Sequence, residues 1–104
     1  MSRVLTIDVS QDGKKYVLTL TGRVDANTAP QLEAAASRIY SENSTADIVM
    51  DMKDCSFLSS AGLRVIISMQ KHAVTGGSLL FRDVAPRVME VLSVAGFDKI
   101  LSFE

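Results

Sequence analysis

The chain has 104 residues, 47% of them hydrophobic and 22% charged, which suits a single folded domain over 1–104 rather than a disordered segment. A formal net charge of −1 leaves no basic excess for phosphates, so nucleic acid is not an expected partner. No apolar run approaches the roughly 20 residues that cross a bilayer, the start at Met1-Ser2-Arg3-Val4-Leu5-Thr6-Ile7-Asp8 lacks a signal-like apolar core, and Cys55 is the lone cysteine; a cytoplasmic protein with no membrane partner, disulfide or cysteine metal site is expected.

The runs Val4–Val9 and Tyr16–Thr21 are rich in β-branched and aromatic residues, and the Asp12-Gly13 step between them is a hairpin signal. A polar loop, Gly22–Asn27, follows. Thr28 and Gln31 have capping-box spacing, Pro30 suits a first helical turn, and Leu32, Ala35, Ala36 and Ile39 recur at helical intervals. Ala46–Met52 has a continuous apolar centre, Ile48-Val49-Met50, as in a central strand covered on both faces. After a loop, Ser59-Ser60-Ala61-Gly62 opens a second helix whose inner stripe is expected at Leu63, Ile66, Ile67, Gln70 and Val74, ending at Gly76-Gly77. Ser78–Arg82 reads as a strand. Asp83 is the candidate cap of a third helix, with Pro86 near its start and Val88, Val91, Leu92 and Ala95 facing inward; Gly96 ends it, and Lys99–Leu101 is the expected last strand. The order ββαβαβαβ implies an α/β fold with a mixed sheet of four to five strands and right-handed crossovers.

The most informative stretch runs from Asp51 to Val65, out of a buried strand into a helix that opens with two hydroxyls and a glycine. On residue physics alone, Ser59 or Ser60 reads first as an N-cap. The same position also suits a phosphate, because a helix N-terminus offers free N–H donors and the positive end of the dipole.

Leu58-Ser59-Ser60-Ala61-Gly62-Leu63-Arg64 resembles the signature of the STAS family, the anti-sigma factor antagonists: an aliphatic residue, Asp or Ser, Ser, a small residue, Gly, Leu. Gly22-Arg23-Val24-Asp25-Ala26-Asn27-Thr28-Ala29-Pro30 is similar to that family's loop before the first helix, and Ala95-Gly96-Phe97-Asp98-Lys99-Ile100 to its late glycine–aromatic turn. The resemblance implies the STAS fold and makes Ser60 the phosphorylation site, with Ser59 the second choice because it stands where many members carry Asp. It places partner contacts on Asp25, Asn27 and Thr28 in one loop and on Ser59, Ser60, Ala61, Gly62 and Arg64 in the other. On its own, Arg64 reads first as a solvated charge and second as a rim contact for the partner. The implied partners are an anti-sigma factor that is also a serine kinase, bound by the unphosphorylated form, and a serine phosphatase that resets the phosphorylated one. No cofactor is expected on this chain, since ATP and magnesium would belong to the kinase. Many members continue with a helix after the last strand, where this sequence reads Ser102-Phe103-Glu104, so one flank of the sheet is expected to be less covered.

Other chemistries fit less well. His72, the only histidine, lies on the same expected helix as Ser60 and about 18 Å along it, too far for a Ser–His dyad. Asp51 and Asp54 read as solvated loop acids rather than metal ligands, Cys55 as an inert small residue, and Met50, Met52, Met69 and Met89 as core filler. A different class of function remains open, a STAS scaffold subunit of a stress-signalling or lipid-transport complex without phospho-switching.

Overall fold

A computed structural model describes residues 5–104. Val4, the expected start of the first strand, lies outside them. β1 (Leu5–Asp12) and β2 (Lys15–Val24) form the antiparallel hairpin, with Gly13 at φ +64° in its turn, a backbone region that glycine enters without strain. Then come α1 (Ala29–Glu42), β3 (Asp47–Leu58), α2 (Ser60–Thr75), β4 (Ser78–Arg82), α3 (Pro86–Val94), a 3₁₀ turn (Phe97–Lys99) and β5 (Ser102–Phe103). The strands lie in the order β1-β2-β3-β4-β5, and every pair after the hairpin is parallel. The mixed five-stranded α/β sheet and the ββαβαβαβ order are those the sequence implies.

The crossovers β2–α1–β3 and β3–α2–β4 step the same way across the sheet. Right-handedness therefore puts α1 and α2 on one face, where they pack against each other. Beneath them the sheet presents Leu18, Leu20, Ile48, Met50, Met52 and Phe81, all completely buried, against Leu32 and Ile66. On the other face Thr19, Asp51 and Arg82 stand in register, half-buried, and Arg82 pairs with Asp51 at 3.3 Å. β3 is central as expected, yet this second face is polar; Val49 is buried there between its sheet neighbours Val17 and Leu80.

Five local expectations need correction. First, β3 does not stop at Met52 but runs to Leu58, held by parallel pairing to β2 through two register shifts. Asp51 and Asp54 are therefore strand residues, not loop acids. Second, the capping box is not formed. Thr28 turns its hydroxyl back into the preceding loop, and Gln31 Nε2 donates to the Leu5 carbonyl at 3.2 Å. Third, the inner stripe of α2 is Gly62, Val65, Ile66 and Met69; Ile67 is 39% and Val74 76% exposed. Gly62 packs directly against the side chains of Leu58 and Val24, with no room for a Cβ, and so lies on the inner face.

Fourth, Asp83 does not cap α3. Pro86 forces Ala85 into an extended backbone (ψ 148°), so the helix begins at the proline and Asp83 takes a left-handed turn at φ +56°. Ala95 is exposed, while Val88 and Leu92 face the core. Fifth, Lys99–Leu101 is not a strand. Gly96 reverses the chain at φ +83°, and the amides of Ile100 and Leu101 donate back to the Phe97 carbonyl at 3.1 and 2.9 Å, which delays the last strand to Ser102.

Candidate functional site

Parallel strands deliver their carboxyl ends to one edge of the sheet, and the loops leaving β2 and β3 meet there. The Ser59 amide donates to the Val24 carbonyl at 2.8 Å, so the two loops are joined directly. Gly62 lets them come so close. A Cβ on it would stand 2.6 Å from Leu58 Cδ1 and 2.7 Å from Val24 Cγ1, inside van der Waals contact with two buried side chains.

The two serines have different roles. Ser59 is the N-cap of α2: its backbone is extended (φ −94°, ψ 175°) and its Oγ accepts from the Gly62 amide at 3.4 Å. Ser60 is the first residue of the helix and is exposed. Its hydroxyl stands where the first-turn amides and the dipole favour an anion. Ala61 is half-buried, Arg64 is exposed one turn further along, and Gly62 is buried, contributing shape rather than a side chain.

The opposing loop is organised by Asp25, whose Oδ1 accepts from the amides of Asn27 (2.9 Å) and Thr28 (3.1 Å). Thr28 completes the lock: its Oγ1 accepts from the Asp25 amide at 2.9 Å and donates to the Arg23 carbonyl at 2.8 Å. At 4% exposure Thr28 fixes the loop and presents little to a visitor, whereas Asn27 is exposed and Asp25 partly so.

Sequence reasoning missed Arg23 and Phe57. The guanidinium of Arg23 lies over the Phe57 ring, 4.5 Å from its centroid, and Nε is 3.8 Å from Asp25 Oδ2. The β2–β3 register makes these two residues neighbours, and nothing in the local sequence signals it. A cation, an aromatic face, a carboxylate and a hydroxyl thus share one rim of the sheet.

Other side chains take no part. His72 is stacked on Tyr40, centroids 4.2 Å apart, near the far end of α2. Burial pushes the Cys55 thiol up from its ordinary pKa, and its Sγ donates to the Phe57 carbonyl at 3.5 Å. Among the described residues no three His, Cys, Asp or Glu side chains come together as a metal site, and no helix is long and apolar enough to cross a membrane.

The family model described as Mlab, STAS domain, matches residues 7–102. The chain belongs to the STAS domain family. The anti-sigma-B factor antagonist of Bacillus subtilis is 26% identical over 98 residues, covering 93% of this chain and 88% of that protein. The anti-sigma-F factor antagonist RsfB of Mycobacterium tuberculosis is 32% identical over 81 residues, covering 78% and 64%. Among solved structures, the Bacillus protein SpoIIAA shares the STAS fold at 17% identity in both its forms. The unphosphorylated form has a TM-score of 0.81, covering 95% of this chain and 88% of that one; the phosphorylated form has 0.73, covering 95% and 91%. Related STAS proteins are therefore anti-sigma factor antagonists.

Proposed function

We propose that this chain is a cytoplasmic anti-sigma factor antagonist, which docks through its joined loops on a kinase-type anti-sigma factor and is released when that kinase phosphorylates Ser60. The observation that carries this reading is the exposure of Ser60 at the first turn of α2, beside the Asp25 loop. Ser59 is the poorer acceptor, because its hydroxyl caps the helix. The names of the relatives and the two forms of SpoIIAA support the same reading.

The physical effect is local. A phosphate adds about −1.5 to −2 charge to the docking surface. A partner shaped for a neutral hydroxyl must desolvate that charge or meet it with one of its own, and a loss of about 1.4 kcal/mol is already tenfold in affinity. A serine phosphatase acting at the same exposed position restores docking, and the chain itself catalyses nothing.

The test is incubation with a kinase-type anti-sigma factor from the same organism, ATP and magnesium. One phosphate is expected on Ser60 and none on Ser60→Ala, and Ser60→Asp should lose at least about tenfold in affinity. Complex formation indifferent to Ser60→Asp points instead to the scaffold reading.

A further inference from the structure

We infer that the groove between α2 and the segment Phe97–Leu101 is a second docking surface, and that its occupant is an acidic amphipathic helix of a partner protein. Three large apolar side chains that line it are exposed: Ile67 by 39%, Ile100 by 58% and Val74 by 76%. Its volume is about 270 Å³, and Gln70 and Lys71 are its only polar lining residues. A second hollow adjoins it at Gln70 and Val74 and continues along β4 to Ser102, so the trough is elongated. Small-molecule pockets usually run from about 300 to 1,000 Å³ and carry several convergent polar groups. A long apolar trough suits the i, i+3, i+4, i+7 side chains of a helix better.

Charge decides the kind of helix. α2 carries Arg64 and Lys71 and no acid. Lys71 sits in the groove midway between Ile67 and Val74, and exposed Lys99 lies beside Ile100. The neighbouring acid, Asp98, accepts a hydrogen bond from the Ser93 hydroxyl at 3.2 Å. A second copy packing α2 on α2 about a two-fold axis would set Lys71 near its own counterpart, with no acid on either helix to neutralise the pair. Glutamates flanking an apolar stripe meet these cations instead.

The groove stands apart from the switch. Lys71 is about 16 Å along the helix from Ser60, beyond the roughly 8 Å screening length of physiological salt. The two surfaces therefore succeed or fail separately.

The probe is a synthetic helical peptide with Leu at i, i+3, i+4 and i+7 and Glu on its other face, alongside a twin with Lys for Glu. Each is titrated into the ¹⁵N-labelled full chain. The Glu peptide should shift amides of residues 66–74 and 97–101. Val74→Asp should abolish this at a site too exposed to threaten folding. Lys71→Glu should weaken the Glu peptide about tenfold and admit the Lys peptide, while Ser60→Asp should leave binding unchanged. No shifts from the Glu peptide, equal binding of both peptides, or a concentration-dependent dimer that Val74→Asp dissolves would overturn the inference.

Discussion

Gly62 has less free space than a methyl group needs, and this makes it informative. Replacing it by alanine gains up to about 1 kcal/mol of helix propensity. It also drives a Cβ to within 2.6 Å of Leu58 and 2.7 Å of Val24, which are themselves 2% and 0% exposed and have nowhere to swing. Overpacking of this kind costs about 1–3 kcal/mol. Gly62→Ala should therefore be destabilised by about 1 kcal/mol, measured as a lower urea midpoint at unchanged m-value. Ser60 presents the opposite case. It is exposed, and a negative charge in a first helical turn stabilises by about 0.3–1 kcal/mol. Ser60→Asp should keep or slightly raise the thermal midpoint. A drop of more than about 4 °C would mean that the side chain is structural. The serine-and-glycine signature was legible at this scale; the division of labour was not, because which hydroxyl caps and which faces outward depends on where the helix starts, one residue either way.

At the scale of elements, α1 and α2 are pinned together by Tyr40. Its hydroxyl donates to the Met69 carbonyl at 3.3 Å and its ring stacks on His72. Burial pushes the phenol up to about 12 from an ordinary 10.0. Below pH 10 both folded and unfolded chains hold this proton, and the contribution is complete. Between about 10 and 12 the unfolded chain releases it first, binds fewer protons than the folded one, and stability falls as pH rises. The advantage of the native protein over Tyr40→Phe should therefore shrink between pH 9 and pH 11 in urea unfolding; a constant difference would contradict it. The inner face of α2 was harder to read. Its apolar residues at 63, 65, 66, 67, 69 and 74 surround most of the cylinder, so periodicity leaves the rotation open by one residue. In β3, Lys53 and Asp54 look like a loop in isolation, and only pairing with β2 keeps them extended. The last strand failed for a different reason: Lys99–Leu101 has strand-like residues, but the turn after Gly96 closes its own hydrogen bonds first.

Across the whole molecule, β2, β3 and β4 run parallel, so their carboxyl ends lie at one edge of the sheet. That much was legible from the alternation of strand and helix signals. The consequence for the site was not: Arg23 and Phe57 are 34 positions apart in the chain and stacked in space. The same topology leaves the Thr19–Asp51–Arg82 row half-buried on the face opposite α1 and α2, beside the buried Val49. The bond from the Ser59 amide to the Val24 carbonyl gives this rim a built-in reporter. That proton can trade for solvent deuterium only when the two crossovers part, so its lifetime clocks how often the rim springs open, with or without a visitor.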